Sequence, residues 1–366
     1  MVQYEKTINT ERSLLMKTYY IGADVHKQTT TIAVRQNKKI INMITIPTKI
    51  DKIIEFLDQF QGRKHLAIEE SSLSAWLHCH LHDKVYKLIF CDPRRNHLIC
   101  NDSDKDDPID AAKLTELLAN DSLRQIHHID NKEHLALKQW ANLYHDRVRE
   151  KTRQQLKLQG CAMQEGIHIS SSFVKDIQKR KTWLRELPNR SLARQLEVLY
   201  QGLDTCVSQV ALAEAQITKE AKKFPIIQQW QKLPGIGPVR SITLYAYLET
   251  PWRFKTKSKL WKYCGVGLNR CQSGTDRKGR PKPARLKMNP RCNRTLKNVV
   301  MGAAQNIIDK GDNLFKRDYE RMVANGMTHS NAQHTLARKL LTIIWGMWKS
   351  QKSFDPKLWH ANHELC

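Results

Sequence analysis

Four carboxylates in the first third of the chain have the types and spacing of a chemical site. Asp24 ends the apolar run Ile21-Gly22-Ala23, and Glu69 stands where Leu66-Ala67-Ile68 gives way to Glu70-Ser71. Asp107-Pro108-Ile109-Asp110 opens a helical pattern. Pro108 suits the first helical position and Asp107 the N-cap, and a spacing of three lets both carboxylates face one side. Singly each acid has a plain reading, Asp107 as a helix cap above all. Together they offer the oxygen donors that two divalent ions about 4 Å apart demand, because hard cations take oxygen ligands and neutralise charge on an attacked phosphate. Magnesium or manganese is the expected cofactor. Glu70 competes with Glu69, and Asp102, Asp104 and Asp106 compete with Asp107; strand alternation separates the two glutamates without saying which faces a metal.

A second candidate lies in Tyr263-Cys264-Gly265-Val266-Gly267-Leu268-Asn269-Arg270-Cys271-Gln272-Ser273-Gly274. A serine before glycine can expose its hydroxyl, and Arg277, Lys278, Arg280, Lys282, Arg285 and Lys287 follow as cations able to stabilise a pentacoordinate phosphorane. No side-chain base adjoins it, and a loop serine often only bonds its own turn. Leu233-Pro234-Gly235-Ile236-Gly237-Pro238-Val239-Arg240 looks like the turn of a helix-hairpin-helix element. There Gly235 and Gly237 would let backbone amides approach a phosphate beside Arg240; a glycine turn between two packed helices needs no ligand at all. His78-Cys79-His80-Leu81-His82 lacks a second ligand pair at zinc-finger spacing and reads as a solvated helix face.

The elements that must position these residues are legible in the hydrophobic pattern. Tyr19–Val25, Thr29–Arg35 and Ile40–Ile46 read as three strands in hairpin order. A helix follows at Lys49–Phe60, then a strand His65–Ile68, a helix from Leu73, a strand Val85–Phe90 and a helix from Asp110. The order β-β-β-α-β-α-β-α implies a mixed sheet with helices on its faces. Asn131–Gln159 contains neither proline nor glycine and reads as long helix. Leu192, Leu196, Leu199, Leu203, Cys206, Val210, Ala213 and Ile217 form a heptad seam, expected as a coiled coil, with an intermolecular role slightly favoured over a helical hairpin within one chain. The last region is mostly helical, with a Gly/Pro-rich loop near 265–292 too long for a mere connector. The expected organisation is a tail at 1–18, an α/β domain at 19–128, a helical linker at 129–224 and a mainly helical domain at 225–366.

Charge narrows the partners. The 366 residues carry 61 Lys+Arg against 36 Asp+Glu, a net charge of +25, so polyphosphate is attracted and nucleic acid is the leading partner class. No apolar run reaches the roughly 18 residues of a membrane span, and residues 1–18 lack a secretory pattern, so a cytosolic protein is expected. Nine scattered cysteines without a CxxC pair indicate neither a disulfide framework nor a zinc ribbon. A purely non-catalytic binder would gain nothing from carboxylates facing phosphate, whereas a junction-resolving nuclease would need them and no serine.

The ordering of the acids over the α/β unit resembles the RuvC branch of the ribonuclease H-like fold. More specifically, GADVHK, AIEESS, DPIDAAKL, LPGIGPVRS, YCGVGLNRCQSG, NRTLKNVVMGAA and LARKLLTIIW, in that order between about residues 19 and 348, look like the DEDD transposases of the insertion-sequence-110 family, relatives of the Piv DNA invertase. The resemblance implies a RuvC-like domain whose acids correspond to Asp24, Glu69, Asp107 and Asp110 and bind magnesium. It also implies a coiled-coil linker and a transposase domain whose serine, Ser273, attacks the DNA backbone and holds a covalent phosphoserine intermediate. Partners implied in the same way are donor and target duplex DNA, a non-coding bridge RNA that pairs them, and further copies of the chain in a dimer or tetramer, in a bacterial or archaeal nucleoid. The chain departs from the family pattern at Glu70, where a small residue is usual, at Cys292, where glycine usually precedes the asparagine, and in the polar, Pro-rich stretch after Ser273.

Overall fold

A computed structural model describes residues 17–92, 106–123, 125–127, 129, 131–170, 174, 176–272 and 285–356. The chain divides into two compact units, Met1–Lys132 and Glu133–Cys366.

The first unit is built on a six-stranded sheet of order β3-β2-β1-β4-β5-β6. Strands β1 (Thr18–Val25), β2 (Thr29–Gln36) and β3 (Lys39–Pro47) pair antiparallel. β4 (Arg63–Glu69) adds parallel to β1 and β5 (Lys87–Cys91) parallel to β4. The short β6 (Gln125–Ile126), which the hydrophobic pattern does not announce, pairs antiparallel to β5. Asn37 and Lys38 both take positive φ, as a two-residue type I′ hairpin turn between β2 and β3 requires.

Both faces of the sheet centre are covered, which is why β1 and β4 read as apolar runs rather than alternating ones. Ile21, Ala23, Leu66, Ile68 and Phe90 pack on one side with α1 (Ile50–Asp58) and α2 (Ser74–Leu81). On the other side α3 (Asp107–Ala119) lies directly on β1. Gly22 makes that approach possible: a Cβ there would stand 2.3 Å from the Ala111 carbonyl oxygen and 2.7 Å from Leu114 Cβ. Gly22→Ala must push α3 off the sheet. We expect it to destabilise the first unit by about 1–3 kcal/mol, the usual cost of overpacking. Urea denaturation followed by circular dichroism measures this, and an unchanged midpoint would mean that the helix can retreat freely.

In the second unit α4 (Lys132–Met163), α5 (Ile177–Glu186) and α6 (Arg190–Ala221) form a helical hairpin. Arg147 donates to Gln209 and Cys161 to Gln195, and Gly202 faces Gln154, a register that runs α4 and α6 antiparallel. Of the heptad residues, Leu192, Leu196, Leu203, Cys206, Val210, Ala213 and Ile217 are buried within the single chain. The seam is therefore spent on the hairpin, and the intermolecular role slightly favoured from sequence is corrected. The α4 and α6 residues Leu137, Ala141, Ile217 and Ala221 share a core with the C-terminal helices, so residues 129–224 are not a free-standing linker.

Those helices are α7 (Pro225–Trp230), α8 (Pro238–Leu248), α9 (Lys257–Tyr263), α10 (Arg294–Asp309), α11 (Leu314–Ala324) and α12 (His329–Ser350). They close around Trp230, Ile242, Val300 and Leu340. Asn189, Asn293, Asn313 and Thr328 each accept a backbone N–H as N-caps. Instead of an unbroken loop at 265–292, strands β7 (Leu268–Cys271) and β8 (Arg285–Met288) pair antiparallel. No helix among the described residues is long and apolar enough to cross a membrane.

Candidate active site

Asp24 lies near the end of β1 on the face that α3 covers, because side chains alternate along a strand and Gly22, two residues earlier, meets that helix. The chain then turns tightly: the His26 N–H donates to the Thr29 carbonyl over 2.9 Å, and Thr48 Oγ1 donates to the His26 carbonyl over 2.8 Å. This turn holds the imidazole over the strand end. The third partner comes from α3. That helix starts one residue earlier than its sequence indicates, with Asp106 at the N-cap and Asp107 as the first helical residue. Asp107 is thus not a cap, and its carboxylate is available to the site.

His26 Nε2 stands 3.1 Å from Asp24 Oδ2 and 3.3 Å from Asp107 Oδ1. Ligand atoms of Asp24, His26 and Asp107 all lie within 4.8 Å of one another. Asp110, three residues further, shares the first turn of α3 with Asp107. Glu69 reaches the same face by register: Ala67 pairs with Gly22 across the parallel β1–β4 ladder, and Glu69 follows Ala67 by two. Glu70 belongs to the opposite alternation, and its N–H donates to the Cys91 carbonyl over 3.0 Å. Backbone register thus separates the two glutamates that sequence alone leaves open.

The electrostatics mark Asp24 as costly. Burial raises its pKa above the ordinary carboxylate value, Asp107 and Asp110 add to the rise by like-charge repulsion, and His26 opposes it. A half-buried carboxylate facing two more acids is destabilised by its own charge, and a divalent cation would remove that penalty. The donors are mainly carboxylate oxygens, which suit magnesium or manganese; His26 would add a nitrogen donor only in its neutral form. The residues present therefore fit a divalent ion.

His26 was not singled out from sequence, although it stands two residues beyond Asp24 in the GADVHK motif. The Asp24 carboxylate, and then Asp107, raise its pKa, so the imidazolium form is favoured in the folded protein. In chelator-treated protein this contribution to stability is complete below the unfolded value of 6.5. It is lost as pH rises through the higher folded value. Melting curves taken between about pH 5 and 9 should show that loss in wild type and not in His26→Ala; superimposable profiles would remove His26 from the site.

Elsewhere the structure sorts the remaining candidates. Gly235, with φ of 75°, backs onto the Ala303 carbonyl of α10, where a Cβ would come within 2.5 Å. Arg240 donates inward to the Gly235 carbonyl over 2.8 Å. Packing thus accounts for Gly235, one guanidinium nitrogen of Arg240 is used within the turn, and a Cβ at Gly237 would meet nothing within 4 Å. His80 and His82 bond the carbonyls of Trp76 and His78 on their own helix, and among the described residues no metal-binding group includes the 78–82 run. Arg285 and Lys287 are exposed on β8. Ser273, Arg277, Lys278, Arg280 and Lys282 lie outside the described residues.

Against this geometry the comparisons with known proteins are specific. Residues 21–165 match a family model described as a transposase, of the DEDD type of insertion element IS110. Residues 228–320 match the model of the transposase IS116/IS110/IS902 family. The chain belongs to the IS110-type DEDD transposase family. The first match takes in Asp24, Glu69, Asp107 and Asp110, and the second runs through residue 273. One relative is the insertion element IS110 uncharacterized 43.6 kDa protein of Streptomyces coelicolor, 25% identical over 145 residues, which are 40% of this chain and 34% of that protein. The matched segment thus spans about a third of that relative. DEDD membership implies use of a divalent metal ion, in keeping with the carboxylates gathered here.

Proposed function

We propose that this protein is a DNA transposase that cuts and rejoins DNA strands, with Asp24, Glu69, Asp107 and Asp110 holding two magnesium or manganese ions and Ser273 as the nucleophile. The observation that carries this reading is the convergence of Asp24 and Asp107 on His26, from a strand end and a helix start 83 positions apart in sequence. Membership of a transposase family supplies the reaction class.

In this reading Ser273 Oγ forms a bond to a backbone phosphorus as the P–O bond to the leaving strand breaks. The leaving oxygen takes up a proton, and the serine proton passes to solvent or to a nearby base. The phosphodiester becomes a phosphoserine diester, so bond energy is kept for rejoining when a strand hydroxyl attacks in turn. Bound divalent ions would supply charge neutralisation at the attacked phosphate and a lowered pKa for the attacking hydroxyl. The carboxylates hold and orient them, with Asp24 fixed by the β1–α3 contact at Gly22. Arg277, Lys278, Arg280, Lys282, Arg285 and Lys287, together with the amides near Gly237, bind phosphate in the same reading. A bridge RNA that pairs donor with target, and assembly as a dimer or tetramer, complete it.

The test is to incubate the protein with labelled donor and target duplexes and magnesium, then separate the products by denaturing electrophoresis. A label that migrates with the protein and disappears when chelator is present from the start is expected. Free nicked DNA with no adduct would instead support a metal-dependent nuclease.

A further inference from the structure

Trp252 is 70% exposed, the most exposed tryptophan among the described residues, yet it sits on a pinned turn. Trp345 of α12 donates Nε1–H to the Pro251 carbonyl over 2.7 Å. On the following side Arg253 bonds the buried Glu249 over 2.9 Å and lies 4.5 Å over the Tyr263 ring. Lys349 Nζ is 3.7 Å from the Trp345 ring centre and 5.0 Å from that of Trp252. One turn back on α12, an open groove of about 910 Å³ is lined by Trp261, Lys257, Arg338, Ile343, Met347 and Phe354. Trp261 is tied to α12 through Thr342 over 3.2 Å, and Lys257 Nζ stands 5.9 Å from its ring.

The two helical segments that carry this strip are cationic, with Asp355 the one acid lining the groove among the described residues. Pro251–Tyr263 contains Arg253, Lys255, Lys257, Lys259 and Lys262 and no acidic residue, and His329–Ser350 likewise contains none. Arg253 and Lys339 are spent on Glu249 and Asp318, whereas Lys257 and Lys349 stand beside indole rings, and this pairing of indole faces with lysines selects a polyanion with flat apolar groups. Protein interfaces favour arginine and are depleted in lysine, whereas the cations beside Trp252 and Trp261 are Lys349 and Lys257. Duplex DNA offers phosphates but keeps its base faces stacked inside, so it would engage the lysines and leave the tryptophans unused.

We infer that Trp252, Lys349 and the Trp261 groove form a stacking site for an unpaired segment of DNA strand, in which bases lie on the indoles and phosphates on Lys257 and Lys349. The choice of DNA over RNA rests on the proposed strand-joining function; the aromatic–cation geometry does not. Such a site would hold a strand opened during exchange and keep its end from diffusing away.

The experiment measures binding of fluorescent oligothymidylate, of a duplex of the same length and of oligouridylate to full-length protein without metal, so that it is independent of adduct formation. Trp252→Ala is expected to weaken oligothymidylate binding about tenfold, the scale of losing one base–aromatic stack. Duplex affinity should stay within about twofold, and Trp252→Phe should retain most single-strand binding. An equal loss on duplex would reduce the strip to a charge patch. Loss confined to oligouridylate would overturn the DNA assignment, and unchanged binding with altered sedimentation would make Trp252 a contact between copies of the chain.

Discussion

Asp24→Asn is expected to reduce adduct formation and strand joining by about three orders of magnitude, the scale of removing a principal electrostatic contributor at a reaction centre, while leaving the metal-free protein at least as stable as wild type. The two halves of this expectation have one cause. Burial and the neighbouring Asp107 and Asp110 raise the Asp24 pKa by more than His26 lowers it, so once His26 has lost its proton the charge of Asp24 opposes folding until a cation compensates it. A neutral amide of the same shape removes that penalty and removes the ligand with it. Activity and stability therefore move apart, as they do where a site is held under electrostatic strain. Adduct yield with magnesium and melting temperature in chelator are the two readouts. A fall in both together would make Asp24 a structural residue. Glu69→Gln belongs in the same assay beside Glu70→Gln, because the β4 register puts only the former on the Asp24 face. Activity lost in Glu70→Gln and kept in Glu69→Gln would contradict that assignment.

Ser273→Ala is expected to eliminate the covalent protein–DNA product altogether, since no other hydroxyl would replace Oγ at the phosphorus, while divalent-ion binding at the carboxylates persists. Ser241→Ala is the suitable control. Ser241 is fully buried on α8 and donates to the Pro238 carbonyl over 2.8 Å, so its loss costs one hydrogen bond, about 1 kcal/mol, and no chemistry. An adduct that survives Ser273→Ala would move the nucleophile elsewhere. Loss of the adduct with continued metal-dependent nicking would leave the carboxylates acting alone, as in a hydrolytic nuclease.

Sequence by itself determined the elements of the first unit and the identity of Asp24, Glu69, Asp107 and Asp110 as candidates. Apolar runs that stop abruptly at an acid are a local signal, and a sheet covered on both faces writes such runs directly into the chain. Long helices free of proline and glycine were equally legible at Asn131–Gln159. Tertiary structure decided what depends on distant partners. Whether the Leu192–Ile217 seam faces another chain or α4 cannot be read from a heptad, since both bury the same residues; the Arg147–Gln209 and Cys161–Gln195 contacts decide it. The two-residue β6 is too short to carry a period and exists only because β5 offers it an edge. Gly235 looks like a phosphate-facing turn until α10 is seen behind it. His26 enters the site only because a hairpin turn carries its ring to an aspartate 81 residues later in the sequence, a proximity that a linear spacing does not encode.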